Sequence, residues 1–203
     1  MTLPMTFDLP VLGDAPRQRA DAVRNRALIL ATAERLFRER GVGNTSMDCI
    51  AAEAGVGKGT LFRRFGDRAS LVRSLLEDRE ASFQEEFIRG EPPLGPGAPP
   101  IERLIAFGHA LLDMVDCHGE LLLAAESSSS PGARFDHPVT STYRAHLQTL
   151  VRSGAPELDA GYTADALMSM LTAELVMHQL RGRGVPLADL KAGFEAVARR
   201  VLS

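Results

Sequence analysis

The sequence predicts an all-α protein: a three-helix head at the N-terminus and a larger helical body after it, about nine helices in all. Three observations predict it. Apolar residues recur at spacings of three and four along every long segment, which is the period of one helix face. Clusters of glycine and proline interrupt those stripes and mark where helices end. Basic residues crowd near the N-terminus, which sets a head apart from the rest. From Arg17 to Arg68 there are eleven basic and six acidic residues, a surplus of five positive charges. The whole chain carries −3, so the remainder carries −8.

The chain has 203 residues, 45% of them hydrophobic and 24% charged. That suits one large or two small globular domains. No apolar run approaches a membrane span. The first residues, MTLPMTFDLPVLGDAP, lack the basic and apolar regions of a signal peptide. A cytoplasmic location is therefore expected. Cys49 and Cys117 are the only cysteines and fall in different expected domains. A disulfide is not expected, and each thiol reads as a small buried apolar group.

Residues 1–18 are proline-containing and non-periodic and read as a disordered arm. Arg17 and Arg19 at its end suit either a DNA contact or a solvated tail. The first helix spans 21–40, with Ile29, Leu30, Ala33, Leu36 and Phe37 inward and Arg24, Arg26, Arg35 and Arg38 outside that stripe. Thr45 or Ser46 caps the second helix, along which Met47, Ile50, Ala51 and Ala54 make one apolar face. Gly55 stops it, since glycine tolerates the left-handed conformation after a helix end. Leu61 and Phe65 give the third helix an inward face, while Lys58, Gly59, Thr60, Arg63 and Arg64 occupy its other positions. Those are cationic, small or hydroxylated side chains, suited to a phosphate backbone and to base edges. The pair reads as a helix-turn-helix with a recognition helix near residues 57–64.

Asp67 caps a long fourth helix over 68–89 with Leu71, Leu75 and Leu76 inward, a natural rod from head to body. Arg68 at its start is placed to offer a phosphate both charge and backbone N–H groups. Residues 90–100, GEPPLGPGAPP, form a loop. A helix follows over 101–117, with Leu104, Ile105, Gly108, Leu111, Leu112 and Val115 inward; Gly119 breaks it before a short helix at 121–126. Residues 127–132, SSSSPG, form a loop and 138–153 a helix. The helix expected over 163–181 is apolar nearly all round, so it is buried on more than one side. The last, 187–202, carries Leu187, Leu190, Phe194, Val197, Ala198 and Val201. Together the last two read as half of an intersubunit four-helix bundle, with Leu167, Leu171, Leu175, Leu190, Phe194, Val197 and Val201 at the interface.

The stretch AGVGKGTLFRRFGDRASL, with ILATAERLFRERGVGNTSMDCIA before it, resembles the TetR family of transcriptional regulators. The family pattern is an Ala-Gly-Val turn, a Ser-x-Gly-Thr-Leu-Tyr-x-His-Phe helix and a capped Lys-x-x-Leu start. The likeness covers about a quarter of the chain. Gly57 stands where Ser is common, Phe62 where a Tyr hydroxyl usually reaches a phosphate, Arg64 in place of His, and Arg68 in place of Lys. The resemblance implies DNA binding through Thr45, Ser46, Lys58, Gly59, Thr60, Phe62, Arg63, Arg64 and Arg68. It also implies domains at 19–67 for DNA binding and 68–203 for ligand binding and dimerisation.

A pocket in the body is expected from Phe83, Phe87, Phe107, Leu111, Met114, Phe135, Tyr143, Leu147 and Met170, residues that suit an ordinary core equally well. Glu174 and His178 lie four apart and share a face, as a buried carboxylate with its partner or as a surface pair. Ser127–Ser130, Asp136 and His137 hold the letters of a hydrolase triad without a nucleophile elbow. His109, Cys117, His118 and His137 match no compact metal-ligand spacing. The reading is therefore a homodimeric regulator, not an enzyme and without a cofactor. It binds a palindromic operator and is released by a small apolar or amphipathic effector. The alternative is a ligand-binding or interaction module whose head no longer reads DNA.

Overall fold

The computed structural model describes residues 15–126 and 137–202. Its regular structure in that range is helical: α1 (Ala15–Arg40), α2 (Met47–Glu53), α3 (Lys58–Phe65), α4 (Arg68–Arg89), α5 (Pro100–Glu126), α6 (Pro138–Gly154), α7 (Ala160–Ser169), α8 (Ala173–Met177, running on as a π-turn over His178–Gly182) and α9 (Leu187–Val201). No helix among the described residues is long and apolar enough to cross a membrane. Most of the expected N-terminal arm, the side chains of Arg17 and Arg19, and the serine loop at 127–132 lie outside the described residues. Helix α1 begins at Ala15 rather than at residue 21.

Two hydrophobic cores organise the chain. The first joins Ile29, Leu36 and Phe37 of α1 to Ile50 and Ala51 of α2, Leu61 and Phe65 of α3, and Leu71, Leu75 and Leu76 of α4. Helices α2 and α3, of 7 and 8 residues, are too short to be stable alone, and the apolar stripes of all four helices bury one another. The turns follow from local chemistry. Gly41 and Gly55 take positive φ, 79° and 64°, directly after α1 and α2. Ser46, not Thr45, caps α2, its hydroxyl accepting from Cys49 N at 3.1 Å. Asp67 caps α4 by accepting from Ser70 N at 2.7 Å, which holds its carboxyl below the usual range.

The second core takes Phe83 and Phe87 from the far half of α4 and adds α5 to α9. Helix α4 thus belongs to both cores. So does α5, because Leu121 packs into the first. This corrects the expected break at Gly119. A Cβ there would meet Met177 Sδ at 2.3 Å, so the glycine admits a close neighbour and the helix runs through. Gly108 acts likewise against the Phe194 ring, 1.9 Å from where its Cβ would be.

The single helix expected over 163–181 is instead two, turning at Met170–Thr172 so that Leu171, Ala173 and Val176 all reach the core. The loop after α4 is tighter than a flexible connector. Gly95 N bonds Glu91 O at 3.0 Å and lies so close to Gly90 that a Cβ would overlap its carbonyl. Arg103 Nη2 adds a bond to Phe87 O at 2.9 Å, tying α5 to the end of α4.

Candidate nucleic-acid interface and body site

Helix α3 is held from behind by buried Leu61 and Phe65 and presents Lys58, Gly59, Phe62, Arg63 and Arg64 to solvent, with Thr60 half-buried. Arg63 and Arg64 make no hydrogen bond or ion pair within the described residues, so their guanidinium groups are available to an external anion. Lys58 is different. Its ammonium sits 2.7 Å from Asp48 Oδ2 and 5.7 Å from the centre of the Phe62 ring. A phosphate reaching Lys58 competes with Asp48. Gly59 has open space where a side chain would project, so no neighbour among the described residues requires a glycine there.

Other members of the expected contact set are engaged inside the head. Thr45 is buried and its hydroxyl donates to Gly41 O at 2.9 Å, so it closes the α1–α2 turn and does not face outward. Ser46 is exposed but its oxygen is the α2 cap. Arg68 Nη1 donates to Val42 O and Gly43 O, both at 3.1 Å, and clasps that same turn against α4. Arg35 bridges Glu39 and Glu53, and Arg26 reaches Asp78 at 2.6 Å. These pairs lie 35–48% exposed, so each adds only modest stability while orienting the helices.

Between head and body lies a charged cluster that sequence spacing did not signal. Glu34 of α1, 8% exposed, pairs with Arg79 of α4 and Arg38 of α1 and lies 3.5 Å from His118 of α5. Burial pulls the His118 pKa down, with the Glu34 charge opposing. Cys117, expected buried, is exposed, and Cys49 is half-buried with Arg40 Nη1 3.2 Å from its sulfur. His109 Nε2 lies 3.1 Å from Lys191 O, and His137 caps α6.

In the body, Phe83, Phe87, Phe107 and Tyr143 do come together, as a closed aromatic cluster with ring centres 5.2–5.9 Å apart. Leu111 and Leu147 are buried around it and Met114 and Met170 are half-buried, while Phe135 lies outside the described residues. His146 joins the cluster, its ring 4.5 Å from Phe87 and 5.2 Å from Phe107. Its position three residues after Tyr143 was the available signal. Burial and the Arg103 charge push the His146 pKa down to about 4. Glu80, one turn before Phe83, is pushed up to about 7 by burial and by Glu77. Of the two arrangements open for Glu174 and His178, the structure shows the surface one: both side chains are exposed. The expected interface needs a similar correction. Leu167, Leu171 and Phe194 are buried within the subunit, because α5 to α9 consume them. Leu175 and Val197 stay 41% and 38% exposed, and Leu190 and Val201 are half-buried.

Residues 29–75 match the family described as bacterial regulatory proteins, tetR family. Over 69 residues the chain is 42% identical to an HTH-type transcriptional regulator of Staphylococcus aureus, a match covering 34% of this chain and 37% of that relative. The chain therefore matches well under half the length of that curated relative. Its fold resembles a TetR-family transcriptional regulator from Pectobacterium atrosepticum, with a TM-score of 0.68 at 23% identity, over 91% of this chain and 97% of the other. It also resembles a candidate transcriptional regulator from Saccharomonospora viridis in complex with choline, with a TM-score of 0.68 at 19% identity, over 86% and 95%. With α2 and α3 folded as a helix-turn-helix braced by α1 and α4, residues 29–75 of this chain match the helix-turn-helix domain of the TetR family of bacterial regulatory proteins.

Proposed function

We propose that this protein is a DNA-binding transcriptional regulator, a homodimeric repressor that acts in the cytoplasm. It holds a palindromic operator until a small apolar or amphipathic ligand binds the body. Residues 19–67 read DNA, and residues 68–203 bind the ligand and pair the subunits. The observation that carries this reading is the outer face of α3. Arg63 and Arg64 stand there without partners among the described residues, beside an uncovered Gly59, on a helix whose inner face is locked into a core. Two such helices related by a two-fold axis fit successive major grooves. The exposed Leu175 and Val197 on the last helices supply apolar surface for the partner subunit.

The test is fluorescence anisotropy with the duplex upstream of the protein's own gene, titrated over a range of salt. Specific binding should exceed binding to a scrambled duplex by at least about a thousandfold, in keeping with specific recognition. Equal affinity for both duplexes would favour a body that binds ligands under a head that no longer reads sequence.

A further inference from the structure

Among the described residues, three buried side-chain atoms have no hydrogen-bond partner: Arg103 Nε, Tyr143 Oη and His146 Nε2. All three belong to residues gathered on Phe87. Arg103 bonds the Phe87 carbonyl, the His146 ring lies 4.5 Å from the Phe87 ring, and the Tyr143 ring lies 5.9 Å from it. The arrangement is built by three helices. Phe83 and Phe87 lie one turn apart on α4, Arg103 and Phe107 on α5, and Tyr143 and His146 on α6. Tyr143 is only 6% exposed. An unpaired polar atom at that depth opposes folding, and buried polar groups in native proteins are nearly always paired. Three together in one aromatic cluster point to a ligand that supplies the missing partners.

Their chemistry narrows the ligand. Arginine Nε is a donor only and carries a permanent charge, whereas a tyrosine hydroxyl donates or accepts and an imidazole nitrogen does either according to its tautomer. Burial keeps His146 neutral at pH 7 and raises the Tyr143 hydroxyl further, aided by the Glu80 charge. A group accepting from arginine and tyrosine at once, and neutralising the cation, is a carboxylate. The ring faces around it suit an aryl or alkyl body.

We propose that this cluster is the effector site and that it takes a small organic acid, its carboxylate on Arg103, Tyr143 and His146 and its apolar body among Phe83, Phe87 and Phe107. The proposal rests on the ligand-released reading above, but its test uses no DNA, so the two fail separately. Because the rings already touch, an entering ligand must part them, and two of them ride on α4, the helix shared with the head core.

The experiment is calorimetry with benzoate, phenylacetate and octanoate, each beside its alcohol and amine counterpart, against the wild type, Arg103→Met and Tyr143→Phe. At least one acid should bind saturably and roughly tenfold or more tighter than its alcohol. Arg103→Met should weaken the acid by roughly ten- to a hundredfold, the scale of a lost hydrogen bond to a charged group, and leave the alcohol unchanged. Tyr143→Phe removes an unpaired buried hydroxyl, so it should melt at or above the wild-type temperature while binding the acid less tightly. It carries the test if Arg103→Met fails to fold. The proposal is overturned if no acid binds at millimolar concentration, or if an amine binds tighter than its acid, which would make Glu80 the contact. Unchanged acid affinity in the folded variants would overturn it equally.

Discussion

At the scale of single residues, the head separates side chains that hold it together from side chains that face outward. Arg68 and Thr45 bond the backbone of the α1–α2 turn, whereas Arg63 and Arg64 bond nothing within the described residues. Arg63→Ala and Arg64→Ala should each weaken DNA binding and lower the salt slope by up to about one, with no change in melting temperature. Asp48→Ala should tighten binding, since it frees Lys58 from its internal partner. Gly59→Leu should fold normally, there being open space at that position, and lose the DNA complex by steric exclusion from the groove. Anisotropy beside thermal melts measures all four, and parallel losses of stability and affinity would refute the separation.

Glu80 sets a pH dependence of the opposite kind to an ordinary carboxylate. Its folded pKa is raised from 4.5 to about 7, so between those values the folded chain holds more protons than the unfolded one. Its contribution is present below pH 4.5 and is lost as pH rises to about 7. His146, lowered to about 4, acts in the other direction and loses its contribution as pH falls below the ordinary histidine range. Glu80→Gln should therefore gain on the wild type steadily from pH 4.5 to 7. Denaturant melts at several pH values should show that rising difference, and a flat one would place Glu80 in solvent.

At the scale of elements, glycine in α5 admits neighbouring side chains where the sequence pattern suggested a break. Gly108 seats the Phe194 ring of α9 and Gly119 seats Met177 at the end of α8, so α5 is the spine on which the last helices lie. Gly108→Val should drive Phe194 out of its place and destabilise the body. Phe194→Ala should cost about 3–5 kcal/mol, as for a buried aromatic side chain, and denaturant unfolding gives both numbers. Losses below about 1 kcal/mol in both variants would mean that α9 is not anchored on α5. The α7–α8 turn reflects the same economy of packing. A straight helix would point Leu171, Ala173 and Val176 in directions that one core cannot cover, and bending the chain brings all three inside.

At the scale of the whole molecule, α4 and α5 each enter both cores, and the Glu34–Arg79–His118 cluster ties α1, α4 and α5 between them. Head and body are therefore joined at two places. A ligand that parts α4 from α6 is expected to tilt the head by moving both tethers, not by flexing the compact loop after α4. Spin labels at exposed Ala52 in each subunit should report a changed separation on adding ligand, and operator DNA should reverse it, since linkage is reciprocal. Ala52 suits the label better than Glu53, which pairs with Arg35 at 2.9 Å. A ligand that releases DNA while leaving that distance distribution unchanged would exclude the tilt. The dimer is tested at its exposed apolar side chains. Leu175→Glu with Val197→Glu should give monomers in sedimentation at micromolar concentration with unchanged helix content, and a dimer that survives places the interface elsewhere.

The helical class, the caps and turns of the head, and the inward stripes of α1 to α4 were legible from residues alone. Their determinants are local: Ser46 and Asp67 sit within three residues of the N–H groups they accept from, and Ile29, Ala33, Leu36 and Phe37 repeat at the helical period along α1. Spacing identified which aromatic residues of the body are inward, and Phe83, Phe87, Phe107 and Tyr143 do meet. It left undecided which apolar faces a single subunit covers and which remain for a partner, so Phe194 and Leu171 read as interface although α5 and its neighbours bury them. It misplaced the end of α5 because a glycine that breaks a helix and a glycine that receives a side chain look alike until the neighbour is known, and it missed the turn at Met170–Thr172, which no glycine or proline marks. Pairs such as Lys58–Asp48, Glu34–His118 and Arg103–Phe87 join different helices. No periodicity along one helix encodes them, and only the packing of helix against helix determines which charges are already matched and which polar atoms are left to find a ligand.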